Sequence, residues 1–151
     1  SYHGTIDFGG GPLTSQGNTD IFVLKLSGTN GSYIWAKRFG AGNGDAAYDV
    51  EVAQNDEVVV TGRISSNVDF GAGPLGHVGA YDVFVTRFTS AGAVIWANSY
   101  GTSGDDAIND LVLDSLGGPV VTGARPLTIN FGGGFLPHVA GNDIFIVKLT
   151  P

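Results

Sequence analysis

Two clusters of carboxylates stand out in this sequence, Asp45 and Asp49 in one stretch and Asp105, Asp106 and Asp110 in another. Each lies in or beside a glycine-containing segment, Gly42-Asn43-Gly44-Asp45 and Ser103-Gly104-Asp105-Asp106. Hard oxygen donors of this kind, with loop carbonyls, are what Ca²⁺ takes as ligands. The spacing matches no EF-hand loop or nonapeptide calcium repeat. The plainer expectation is that Asp45 and Asp106 cap turns and that Asp49 and Asp110 bond loop amides or a neighbouring cation. Trp35 and Trp96 are the other candidates for ligand contact, because an indole face suits the apolar face of a pyranose. Together with Asp45, Asp105 and Asp106 they make up the candidate ligand set, against the expectation that each Trp packs between neighbouring structural units.

Other chemistries are poorly supported. There are no cysteines, which excludes disulfides, thiolate metal sites and thiol nucleophiles. His77 and His138 occupy matching places, yet the third such place is Ser15, so no histidine metal ring is expected. No Gly-x-Ser-x-Gly elbow is present, and Gly9-Gly10-Gly11 runs into Pro12 rather than a helix, so it is a turn and no phosphate loop. Seven Lys and Arg face fourteen Asp and Glu, a formal charge of -7. The scattered cations argue against nucleic acid and anionic membrane as partners. No apolar run reaches the length of a membrane span, and no signal peptide is visible.

The elements that must position these residues come from a repeat. Ile6-Asp7-Phe8-Gly9-Gly10-Gly11 returns as Val68-Asp69-Phe70-Gly71-Ala72-Gly73 and as Ile129-Asn130-Phe131-Gly132-Gly133-Gly134, in steps of 62 and 61 residues. Asp20-Ile21-Phe22-Val23-Leu24-Lys25-Leu26 returns at Asp82 and at Asp143 with the same two steps. Ile34-Trp35-Ala36 matches Ile95-Trp96-Ala97, and Val60-Thr61-Gly62 matches Val121-Thr122-Gly123. Each copy reads as four strands, A to D, because short β-branched and aromatic runs lie between Gly, Asn, Asp and Ser clusters. A is expected near Tyr48–Gln54 and Ile108–Asp114, and B near Glu57–Ile64 and Pro119–Ala124. C is expected at Ile21–Leu26, Val83–Phe88 and Ile144–Leu149, and D near Tyr33–Phe39 and Val94–Tyr100.

Val58-Val59-Val60 is apolar without alternation, the pattern of a strand covered on both faces. Strand C carries a cation at the end of one stripe in every copy: Lys25, Arg87 and Lys148. These are expected to form structural ion pairs, with Asp49 or Asp110 as partner, since a buried unpaired cation is costly. Asp20, Asp82 and Asp143 open strand C as turn-closing residues. A unit of this size cannot cover both faces by itself and needs neighbours of its own kind.

The order Gly104–Ala107, Pro119–Gly123 and Asp143–Leu149, with Ile34–Gly40, resembles the SBBP-type β-propeller repeat family of bacterial secreted and surface proteins. The resemblance implies an all-β fold of four-stranded antiparallel blades, about 61 residues each, and a place outside the cell or on its surface. It brings no catalytic residues and no cofactor, so the expectation is a non-enzymatic scaffold for binding or self-assembly, with a glycan-binding lectin as the alternative. An enzyme on the long-loop face is the third reading. The copies divide the chain into residues 1–44 (strands C and D), 45–101 (a complete blade) and 102–151 (strands A to C). Such a segment does not close a ring by itself, so the expectation is either an excerpt of a longer array or copies meeting through open strand edges.

Overall fold

The computed structural model describes residues 1–150 and is all-β, with thirteen strands and no helix among them. Two short strands, β1 (Thr5–Asp7) and β2 (Pro12–Thr14), form a ribbon ahead of β3 (Ile21–Leu26) and β4 (Tyr33–Phe39). Then come β5 (Ala46–Val52), β6 (Val58–Ile64), β7 (Asp82–Phe88) and β8 (Val94–Tyr100), which pair antiparallel in chain order as one four-stranded sheet. The rest is β9 (Ala107–Leu113), β10 (Pro119–Arg125), the ribbon β11 (Ile129–Asn130) and β12 (Phe135–Leu136), and β13 (Asp143–Lys148). Strands β9, β10 and β13 form a three-stranded sheet, and β3 and β4 pair alone. The three sheets stack face to face as first, middle and last.

Two apolar cores lie between them, and strand pleating decides which side chain enters which. On β6, Val58 and Val60 point to the first sheet while Val59 points to the last; on β7, Phe84 and Phe88 face the first sheet and Val83 and Val85 the last. Ile21, Val23, Trp35 and Phe39 complete the first core, and Ile108, Leu111, Val121, Phe145 and Leu149 complete the second. Strands β6 and β7 are therefore covered on both faces, as their unbroken apolar runs require. Aromatic rings cluster in the first core, where Phe39 lies 4.9 Å from Phe70 and 5.4 Å from Phe88 between centroids. The Asp7-Phe8-Gly9-Gly10-Gly11 segment is the tip of the β1–β2 ribbon. There one Asp7 oxygen accepts from the Gly9 and Gly11 amides, and Asp69 and Asn130 hold Gly71, Gly73, Gly132 and Gly134 in the same way.

Strand A begins two residues earlier than expected in the middle sheet, and one earlier in the last. The cause is a β-bulge: Ala47 pairs with Gly62 and Asp49 with Thr61, which leaves Tyr48 as the extra residue. Asn109 is the extra residue in β9, between Ile108 opposite Gly123 and Asp110 opposite Thr122. A bulge breaks the alternation by which strands are read, so the sequence pattern resumes only after it. The glycine of each Val-Thr-Gly motif serves this bulge. A Cβ on Gly62 would lie 2.0 Å from the Ala46 carbonyl oxygen, and one on Gly123 would lie 2.1 Å from that of Ala107. Gly62→Ala is expected to lower stability by about 2 kcal/mol, because backbone has to move; chemical denaturation measures it, and an unchanged midpoint would contradict this role.

Candidate functional site

Loops carried on stiff sheets are where binding residues tend to lie, and the longer connections, β6 to β7 and β8 to β9, emerge at the same end of the middle sheet. The acidic residues expected to matter are mostly consumed there in fastening backbone. Asp45 is fully buried: its carboxylate accepts from the Ala41 amide at 3.0 Å and from the Ser65 amide at 2.8 Å and hydroxyl at 3.3 Å. This ties the β4–β5 connection to the end of β6. Asp106 repeats the clasp in the last sheet, accepting from the Thr102 amide at 2.6 Å and hydroxyl at 3.0 Å. Its second oxygen, Oδ1, is buried without a partner among the described residues. The reason is Pro126, which stands where Ser65 stands in the preceding copy and has no N–H to give. Burial pushes the Asp45 and Asp106 carboxyls up from their ordinary value, against the pull of these hydrogen bonds.

A second set of clasps closes the longer loops. Asp20 accepts from the Gln16 and Gly17 amides and from Arg38 Nη1 at 2.7 Å; Asp82 accepts from Val78 and Asp143 from Val139. Ser99 replaces Arg38 in the middle copy, and Asp82 Oδ1 is left buried and unpaired. Desolvation raises the Asp82 carboxyl accordingly. His138 Nδ1 lies 3.2 Å from the Asp143 carboxylate, and His77 Nε2 lies 3.3 Å from the Ala80 carbonyl.

Asp49 does not pair with a cation. Its carboxylate crosses to the last sheet and accepts from the Leu111 amide at 2.9 Å, while its other oxygen caps Val50. Asp110, its counterpart, is exposed, as is Asp105. Among the described residues no three His, Asp or Glu side chains meet as a metal-holding group.

The strand C cations have other partners than those expected. Arg87 donates to Glu57 Oε2 at 2.6 Å and to the Gly117 carbonyl at 2.7 Å. Lys25 donates to the Asp56 carbonyl at 3.3 Å and the Ser90 carbonyl at 3.2 Å, and Lys148 pairs with Asp114. Register explains the correction: Arg87 is level with Val59, and Val59 with Glu51, so Asp49 lies farther toward the long-loop end. Asp56 and Gly117 are matching positions, each with positive φ (62° and 79°) in the turn after strand A. Lys25 and Arg87 thus make one repeated contact, from strand C of one sheet to that turn of the next. The Lys148 ammonium and neighbouring amides hold the Asp114 carboxyl down at about 2.

Trp35 is 9% exposed, and its Nε1 donates to the Ser90 carbonyl at 3.0 Å. Trp96 packs at the edge of the second core, with Nε1 buried and unpartnered among the described residues. Both indoles sit level with the strand C cations, at the end of the sheets opposite Asp45, Asp105 and Asp106. The structure therefore does not join tryptophans and acids into one site. It does assemble a group that repeat-based reading overlooked, because its members have no counterparts: Tyr48, Arg63 and Tyr81.

Pro126→Ser restores the missing donor. It is expected to raise stability at neutral pH by about 1 kcal/mol and to bring the Asp106 carboxyl down, read by urea unfolding and by carboxyl NMR titration. No change in either would mean that Asp106 Oδ1 is already satisfied.

A scan against family models returns no match, and a search of curated proteins finds no significantly similar sequence.

Proposed function

We propose that the three sheets are blades of a β-propeller of the SBBP repeat type, and that the protein works outside the bacterial cell as a non-enzymatic scaffold for binding and self-assembly. One observation carries this reading. The apolar stripe that strands B and C of the middle sheet present to the last recurs on the far side of the last sheet. Val59, Val83 and Val85 are fully buried in the first case; their counterparts are Val120, Ile144 and Ile146, with Ile144 82% and Ile146 72% exposed. Asp110 stands there as Asp49 does, but exposed and with no amide to accept from among the described residues. Such a face is complementary to another sheet of the same kind, and burying each of those isoleucines would contribute about 2 kcal/mol. At the other end, a cleft of about 400 Å³ lies between Phe22 and Leu24 of β3 and Ala47, Tyr48 and Val50 of β5. Strands A and B would fill this space in a four-stranded first sheet.

A binding and assembly role also suits how polar groups are used. Most carboxylates of the long loops fasten backbone amides and leave no acid–base pair poised over a cleft. The exterior location follows from the resemblance of the repeat motifs to the SBBP type.

Sedimentation velocity over a range of concentrations tests the assembly reading. The chain is expected to associate, and Ile144→Lys with Ile146→Lys is expected to abolish association while leaving the melting temperature of the dilute monomer unchanged. A monomer at every concentration would overturn it.

A further inference from the structure

Five of the seven basic side chains find oxygen partners: Lys25 and Arg87 on turn carbonyls, Arg38 on Asp20, Arg125 on the Leu127 and Pro137 carbonyls, and Lys148 on Asp114. Arg63, near the end of β6, has none among the described residues. Its guanidinium carbon lies 3.9 Å from the centroid of the Tyr81 ring and 5.8 Å from that of Tyr48. Its Nε is buried with no acceptor. A guanidinium carries five N–H donors in its own plane, and attraction to aromatic faces consumes none of them. The two rings hold the plane in place and leave its hydrogen-bonding capacity unused.

The group does not belong to the repeated scaffold. One copy further on, Arg63, Tyr48 and Tyr81 become Ala124, Asn109 and Asn142. The clamp also depends on a special backbone feature, because Tyr48 is the bulged residue of β5, and bulges re-aim side chains beside functional sites. Tyr48 remains 47% exposed. An open groove of about 370 Å³ runs from it along Ala107, Ile108 and Asn109 at the start of β9. That is room for a small ligand of one or two rings.

We propose that Tyr48, Arg63 and Tyr81 form a binding site for a carboxylate-bearing saccharide. A uronic-acid carboxylate takes the Nη1 and Nη2 donors of Arg63, the edge of the guanidinium away from the buried Nε, for which its planar geometry is matched. The apolar face of the pyranose lies on the Tyr48 ring, and the Asn109 amide meets its hydroxyls. With a formal charge of -7 on the chain, the site favours a ligand bearing a single carboxylate over a polyanion. The site deepens the proposed binding role. Its test reads ligand contact at concentrations where the chain sediments as one species, so it fails separately from the assembly reading.

The experiment is an NMR titration of ¹⁵N-labelled protein with galacturonic acid, with galactose as its neutral twin, and with acetate. Galacturonic acid is expected to shift the Arg63 Nε–H and the Tyr48 resonances saturably, and galactose to leave them in place. Arg63→Gln is expected to weaken binding by at least about tenfold at an unchanged melting temperature. Tyr48→Ala, on an exposed ring, keeps the fold and is expected to weaken it about as much. Equal binding of galactose, or undiminished binding in either folded variant, would overturn the site. Acetate matching galacturonic acid in affinity would overturn the saccharide assignment.

Discussion

The constraint on which this structure depends is that strands B and C are apolar on both faces. A sheet whose middle strands read Val58-Val59-Val60 and Val83-Phe84-Val85 gains by covering both of its faces. Each fully buried side chain of this size contributes about 1.5–3 kcal/mol, and the middle sheet needs a neighbour on each side to collect it. The polar contacts follow the same logic. Asp49 reaches the Leu111 amide, Trp35 the Ser90 carbonyl, and Lys25 and Arg87 the turn after strand A. All four point from one sheet to the next in the same sense, so the stack has a direction as well as a spacing.

Within each sheet the loops are held by side-chain oxygens as well as by the packing of Val68, Phe70 and Ile129. Asp45 and Asp106 fasten one connection, Asp20, Asp82 and Asp143 another, and Asp7, Asp69 and Asn130 the ribbon tips. At two of these clasps the copies keep the carboxylate and lose its partner, whereas at the third tip Asn130 replaces the carboxylate and keeps both amides. Pro126 in place of Ser65 and Ser99 in place of Arg38 each leave a buried oxygen alone. Divergence of the opposite kind, a gain of side chains against the repeat, yields the Arg63 clamp.

Strand order and the two-sided cover of Val58-Val59-Val60 were legible from the sequence because β-branched runs and turn residues alternate cleanly. The start of strand A was not, since the bulge at Tyr48 shifts the alternation that marks a strand. The cation partners were misplaced for a related reason: Asp49 is on the expected strand, but pairing register sets it apart from Arg87. Among the candidate site residues, Trp35 is positioned by a contact with Ser90 that lies 55 residues away in sequence and left no local signal. Tyr48, Arg63 and Tyr81 were invisible to an argument built on what recurs, although their lack of counterparts was itself a readable sign.

The claim that the fold is governed by cover on both faces of the middle sheet is tested most directly by residue-resolved amide hydrogen exchange. Amides of β6 and β7 are predicted to exchange slowest, at the level of global unfolding, with β13 opening more readily because Ile144 and Ile146 face water. Uniform protection across β6, β7 and β13 would contradict the account.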